Sequence, residues 1–440
     1  MQHVAEVQKV CKAPSISIGI LHEGKVLYRK SLGLRDVESN LDANSDTSYL
    51  IGSCSKLLTA AAVGILAESQ LSWTDLISKH VPEFNPVGDP RIGQQATIMD
   101  ACRHSTGLAN PNAIFFSPQG TLTIREEDHV ALLNALPTSN DSGQRFNSWW
   151  NYSNAAFGVL SNVIKAVSGM HFCGFVRQRL CQPLTMDQTL VTEAEVRSNN
   201  NIAYPYVQME NGHWARIENG LTSEIHEDII GRNSGSRTLY GHSGITEGSV
   251  ATTYLIPSSH SAIVVLSNAA YAGDASDATS QIMLQALFDL QPSVNLVAAI
   301  ELSRNERLER HEKMISTWQE NRDVSKYKVT PEELVGSYIG LNVSRINIIR
   351  SDKSPSGLAV VFADQESSRC ELEPYNSDSL SYLPMKHEET IARGMIDWDY
   401  WTVGIFNFVR QDRDRQQGDV VGLEWKWDEY DYPALWEKEQ

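Results

Sequence analysis

Six cysteines in 440 residues, Cys11, Cys54, Cys102, Cys173, Cys181 and Cys370, form no CxxC pair. In a chain of this size that scatter excludes the disulfide framework of a small secreted domain and reads as reduced thiols. No apolar run reaches 18 residues, so no transmembrane helix is expected. The opening MQHVAEVQKVCKAPSISIGI lacks the succession of basic start, apolar core and cleavage site, so no signal peptide is read there. Together these absences make the cytosol the expected compartment. Positive charge is in the minority: 37 Lys and Arg stand against 54 Asp and Glu, a net charge of −17. That balance argues against a nucleic-acid partner or an anionic membrane surface. HExxH and HxHxD are missing and the 12 histidines are dispersed, which removes a metal hydrolase. No glycine loop has P-loop or dinucleotide spacing, and no cofactor is expected. GxSxG is missing too. GHSGI comes nearest, but Ile245 stands where the second glycine belongs and strands follow instead of a helix, which sets aside an α/β-hydrolase.

What is present is an ordinary globular composition, 41% hydrophobic and 21% charged, in a chain long enough for more than one domain. Ser15 to Leu21 and Lys25 to Lys30 are β-rich runs joined by HEGK, a hairpin signal. Strand signals return at SVATTYLIPSSHSAIVVLSN, and helical patterns lie between, with NAAFGVLSNVIKAVSGM the clearest. Strands at both ends with helices in the middle predict an α+β domain over residues 1–295 whose sheet is closed by distant segments. A charged helical connector is expected over 296–329. Residues 330–440 carry short β-type runs spaced by turns, such as GLAVVFAD and WTVGIFNFVRQD, and predict an antiparallel all-β barrel-like domain.

The stretch IGSCSKLLTAAAVGILAE holds a contradiction. From Leu57 to Ala67 it is apolar on nearly every side, as a fully buried helix reads. Ser53 at its start fits as an N-cap. Lys56 does not fit, because a cation in the first turn opposes the helix dipole and its burial costs desolvation. Chemistry resolves the conflict. Three residues apart, the amine and the hydroxyl share a face. A buried lysine beside positive partial charge has its pKa pulled down and can accept the serine proton. The same helix start stabilises the alkoxide.

Two further elements follow. In YSN, Tyr152 can shuttle protons near a cation while the amide of Asn154 orients its neighbours; Asn154 also reads as a plain N-cap. In GHSGITEGS, His242 is placed to bond that network. Small residues such as Gly244 allow close backbone approach, and the Ile245 amide can face a substrate carbonyl. A glycine-rich turn with a surface histidine accounts for the same letters. Cys54 and Ser55 read as packing or capping residues, His104 and His260 as surface or capping histidines.

SxxK at a helix start, then YxN, then HxG before a strand, in this order, resemble the serine β-lactamase and penicillin-binding-protein superfamily. The likeness is to its class C-like branch of D-peptidases, esterases and related acyl-transfer enzymes. RHSTGL resembles that branch's HTSGL segment, and LIPSSHSAIVVLSNAA its strands after the third motif. The resemblance covers roughly residues 10–290, and the later β segment resembles the lipocalin-like tail of some members. It implies Ser53 as nucleophile, Lys56 as base, Tyr152 as proton relay and Asn154 as a substrate-positioning residue. His242 stands where β-lactamases of this branch carry the lysine of KTG, and the amides of Ser53 and Ile245 would form an oxyanion hole. A histidine, mostly uncharged at pH 7, holds a carboxylate less firmly than lysine. HSG therefore favours peptidase, esterase or transferase work over β-lactam hydrolysis. Tyr152 and His242 are only 90 positions apart, where relatives insert a longer helical segment. That implies an open site or a shortened chain, with a join at Leu221 to Gly231.

The expected function is a serine hydrolase acting through an acyl-enzyme on a small ester, amide or lactone, in a biosynthetic pathway. An acyltransferase shares the acyl-enzyme and differs in what attacks it. A catalytically silent relative that binds a ligand is the third alternative, opposed by the retention of Ser53, Lys56 and Tyr152.

Overall fold

Glu23 and Gly24 both adopt positive φ, +51° and +73°, and close a two-residue turn between strands β1 (Ser15–His22) and β2 (Lys25–Asp36) in the computed structural model of the chain. Positive φ at both turn positions matches the twist of paired strands, so HEGK forms the hairpin its composition predicts. The structure describes residues 2–117, 120–137, 146–217, 238–246, 248–291, 293–383, 391–393, 400–412, 417–427 and 433–439. The Leu221 to Gly231 stretch marked above as a join lies outside the described residues.

The chain divides into two units, each built from discontinuous segments: Met1–Leu58, Val176–Glu309 and Lys386–Met395 form one, and Thr59–Phe175, Arg310–Met385 and Ile396–Gln440 the other. In the first unit, β1 and β2 are joined by β3 (Leu41–Asp42), β4 (Tyr206–Gln208), β5 (Trp214–Arg216), β6 (Tyr240–Thr246), β7 (Ser249–Ile256) and β8 (Ser261–Ser267). Six of them make an antiparallel sheet in the order β3-β2-β1-β8-β7-β6. Distant segments close it as expected, with Ile18 of β1 opposite Val265 of β8. Period-two alternation puts Ile16, Ile18, Ile20, Ile263 and Val265 in the core. Val4 and Val7 of the Gln2–Val10 helix, Ala275 and Ala278 of the Ala275–Phe288 helix, and Leu296 and Ile300 of the Leu296–Glu320 helix cover them. Strand β6 is an edge, which matters for the site.

Asp274 caps the Ala275–Phe288 helix, accepting from the amides of Ser276 and Asp277 and from Ser276 Oγ. Desolvation outweighs these bonds and pushes its carboxyl up to about 6. A carboxyl whose folded pKa exceeds its unfolded value holds its proton more tightly when folded. Its stabilising contribution is therefore full below about pH 4 and lost as the pH rises to about 6. Asp274→Asn keeps a capping acceptor without the ionisation. The Tm of this variant minus that of wild type is expected to climb between pH 4 and 6 and stay level above 7, measured by thermal melts across that range.

In the second unit the Asn154–Ser168 helix is capped by Ser153, whose Oγ accepts from the Ala156 amide (3.2 Å), and ends on Gly169 at φ +72°. Asn154 is thus the first helical residue and not the cap. The C-terminal strands are β9 (Gly336–Gly340), β10 (Ser344–Arg350), β11 (Leu358–Phe362), β12 (Cys370–Glu371), β13 (Glu373–Asn376), β14 (Ser379–Ser381), β15 (Ile405–Asp412), β16 (Gln417–Trp425) and β17 (Ala434–Lys438). They form one nine-stranded antiparallel, barrel-like sheet in the order β12-β11-β10-β9-β17-β16-β15-β14-β13. Its core is aromatic: Trp425 packs on Trp436 (centroids 5.5 Å) and on Phe362 and Phe406 (5.6 Å each). The hairpin after β11 bonds the helical part of the same unit, Gln365 Nε2 donating to the Leu122 carbonyl (2.5 Å) and Thr121 Oγ1 to Ser367 Oγ (3.3 Å). The chain thus has the predicted α+β composition, an antiparallel sheet with helices and a separate barrel-like antiparallel sheet. Among the described residues no single helix is long and apolar enough to cross a membrane.

Candidate active site

Gly52–Cys54 form one 3₁₀ turn from which the Ser55–Ala67 helix continues. Ser53 and Lys56 are 1% and 8% exposed, and Lys56 Nζ donates to Ser53 Oγ at 2.9 Å. The spacing that suggested the pair is therefore realised as a buried contact. Two details differ from the expectation. Ser53 is not a cap: Ile51 occupies that position of the turn without a side-chain bond. Nor is the helix enclosed on every side, since Leu57 is 39% exposed; its buried stripe runs through Ala62, Val63 and Leu66.

Two glycines lock the turn against edge strand β6. Gly52 takes φ +47°, and a Cβ there would stand 2.8 Å from the Ile245 nitrogen and 2.9 Å from its oxygen. The backbone polar groups of Ile245 thus face the turn. A Cβ on Gly244 would overlap the Ile51 carbonyl oxygen and stand 2.9 Å from the nitrogens of Ser53 and Cys54. Gly244 does permit close backbone approach, but what approaches is the protein's own helix start. Cys54, buried, points its Sγ at the carbonyls of His242 (3.5 Å) and Ala251 (3.8 Å), the packing role expected of it. His242 is buried rather than a surface residue, with Nδ1 2.6 Å from the Ser243 carbonyl. Ser53, Lys56, His242, Gly244 and Ile245 all belong to the first unit.

Tyr152 and Asn154 belong to the second. Tyr152 Oη donates to Asn154 Oδ1 (2.9 Å), and Asn154 Nδ2 donates to Asn110 Oδ1 and Asn112 Oδ1 (3.2 Å each), so the amide does orient its neighbour. Sequence reasoning missed His104. It is 1% exposed, not a surface residue. Its Nδ1 accepts from the Ser153 amide (3.1 Å), and its ring packs 4.4 Å from that of Tyr152. A backbone φ of +54° turns it inward, and no local pattern signals that. Gly52 was missed for a similar reason, its partner Ile245 being remote in sequence. His260 is an exposed turn residue, as read. Among the described residues no group of three or more His, Cys, Asp or Glu is arranged to hold a metal ion.

A buried Ser–Lys pair at a helix start against the edge of an antiparallel sheet defines the class, the serine β-lactamase and penicillin-binding-protein superfamily. Residues 2–226, just over half of the chain, match the Beta-lactamase family, and the chain belongs to it. Over 190 residues it is 27% identical to Protein flp of Staphylococcus aureus strain MW2, covering 43% of this chain and 37% of that protein. Over 193 residues it is 24% identical to the Unguisins hydrolase ungD of Aspergillus violaceofuscus, covering 43% and 33%. The match thus spans about a third of the length of these curated relatives. In structure it is similar to the octameric penicillin-binding protein homologue from Pyrococcus abyssi, with a TM-score of 0.56 and 18% identity over 99% of this chain and 98% of that one.

Proposed function

We propose that the protein is a serine hydrolase that forms an acyl-enzyme on Ser53 with a small ester, amide or lactone. The observation that carries this reading is the 2.9 Å contact between Lys56 Nζ and Ser53 Oγ in a buried setting. With the amine neutral, the same contact runs in reverse: nitrogen takes the hydroxyl proton as Oγ bonds to the substrate carbonyl carbon. The oxyanion so formed is received by the amides of Ser53 and Ile245, groups held in place by the glycine lock. Collapse breaks the bond to the leaving group, which takes the proton from Lys56. Water then attacks the acyl carbon, giving a proton to Lys56; the bond from that carbon to Oγ breaks, the acid leaves, and Oγ takes the proton from Lys56. By the family resemblance Tyr152 acts as proton relay and Asn154 as a positioning residue. Hydrolysis is preferred to transfer because one relative is itself named a hydrolase.

Exposure to p-nitrophenyl acetate followed by intact-mass measurement is expected to show one added acetyl group, mapped to the peptide holding Ser53. An acetyl group that still appears on Ser53→Ala moves the nucleophile elsewhere, and no adduct together with no p-nitrophenol release above background on wild type removes the enzyme reading. Faster p-nitrophenol release on adding an alcohol or amine acceptor, with acetylated acceptor as product, would make the protein a transferase.

A further inference from the structure

A cavity of about 300 Å³ opens in the first unit, sharing no residue with the surroundings of Ser53. That volume is at the lower end for small-molecule sites. Its walls are largely apolar: Val207 from β4, Ala269 and Ala272 after β8, Leu308 from the Leu296–Glu320 helix, and Ile391. Cys11 adds a thiol that burial pushes up to about 12, so it presents neutral sulfur at ordinary pH. Tyr206 also lines the space, but its hydroxyl turns away to Asp36 (3.2 Å).

Against this apolar background stand two half-buried cations, Lys12 and Arg304. Among the described residues neither side chain makes a hydrogen bond or an ion pair. In a chain with 54 acidic residues against 37 basic ones that is unexpected, since carboxylates are the commoner charge. Arg304 sits four residues before Leu308, so a cation and an apolar side chain share one helix face toward the cavity. Lys12 follows the Gln2–Val10 helix with φ +47°, a left-handed position where glycine is the residue of least cost. Among the described lining residues Glu210 is the one carboxylate beside these two cations, and it is exposed.

We infer that this cavity is a second ligand site, independent of the chemistry at Ser53, and that it takes a small organic anion with an apolar body, a medium-chain or aryl carboxylate. The tail fills the wall of Val207, Ala272, Leu308 and Ile391, while the carboxylate meets Lys12 and Arg304; arginine's planar fork suits a bidentate contact.

Sodium octanoate is the probe, titrated calorimetrically into the full chain at pH 7, beside acetate and octan-1-ol. Octanoate is expected to bind at least tenfold more tightly than either control, because only it satisfies both charge and wall. The Lys12→Gln/Arg304→Gln double variant is expected to weaken octanoate at least tenfold and leave octanol unchanged. Ala272→Trp, which fills the space from a half-exposed position, is expected to abolish binding; circular dichroism verifies that each variant is folded. Octanol binding as well as octanoate, or an unchanged affinity in the double variant, would overturn the anion assignment. Octanoate binding that survives Ala272→Trp, or none at millimolar concentration in wild type, would overturn the site.

Discussion

Lys56→Ala is expected to lower kcat/KM for p-nitrophenyl acetate by about 10³-fold, the middle of the range for loss of a positioned general base. Lys56→Arg sharpens the test. Arginine keeps the positive charge and a donor for Ser53 Oγ, but it cannot give up a proton in a protein. If the lysine serves only to hold the serine in place, the arginine variant keeps much of the rate. If it removes the serine proton, arginine is as inactive as alanine, which is the expected result. Both variants are read alongside their melting temperatures, because the position is buried and a guanidinium is bulkier than an ammonium. A folded Lys56→Arg enzyme with near wild-type kcat would end the general-base assignment.

The second large effect is expected at the glycine lock. A methyl group on Gly244 overlaps the Ile51 carbonyl oxygen, and its other near neighbours are the backbone nitrogens of Ser53 and Cys54. Backbone atoms cannot rotate aside as a side chain can, so the turn and β6 must separate. Gly244→Ala is expected to lose stability by about 1–3 kcal/mol, the usual cost of overpacking. Its rate of Ser53 acetylation should fall by at least about 10²-fold, because displacing one oxyanion donor costs that much. Gly52→Ala adds the strain of φ +47° to a similar encounter with Ile245 and should behave alike. Gly19→Ala is the control. It lies in the same sheet, in β1, with nothing within 4 Å of the added methyl, and should keep both stability and rate. Acetylation at wild-type rate in Gly244→Ala would show that the turn-to-strand junction does not set the reacting geometry.

Local chemistry made the Ser53–Lys56 contact legible. Serine and lysine three residues apart at the start of an apolar stretch have one geometry available, and the HEGK turn likewise has one economical closure. Short β-type runs spaced by turns marked most C-terminal strands, and the link from β1 to the β7–β8 region followed from strands lying at both ends. The hidden parts depend on partners far off in sequence. Nothing near Gly52 says that Ile245 will lie against it, and nothing near His104 says that the Ser153 amide will find its ring. Strand β17 escaped notice because ALWEK is short and charged at its end; it is a strand because β9 and β16 flank it. Asn154 and Ser153 are both good caps by type, and only the bond to the Ala156 amide separates them.

The pairing of β1 with β8 has a consequence for biosynthesis. Ile18 and Val265 are neighbours in the finished sheet but leave the ribosome 247 positions apart, an interval of roughly ten to fifty seconds at ordinary translation speed. Throughout it the first hairpin waits with β1 unpaired on one edge, an open template for other chains. The strand that completes the lock beside Ser53 also emerges late, so the nascent polypeptide carries the Gly52–Cys54 turn long before the sheet edge it packs against exists.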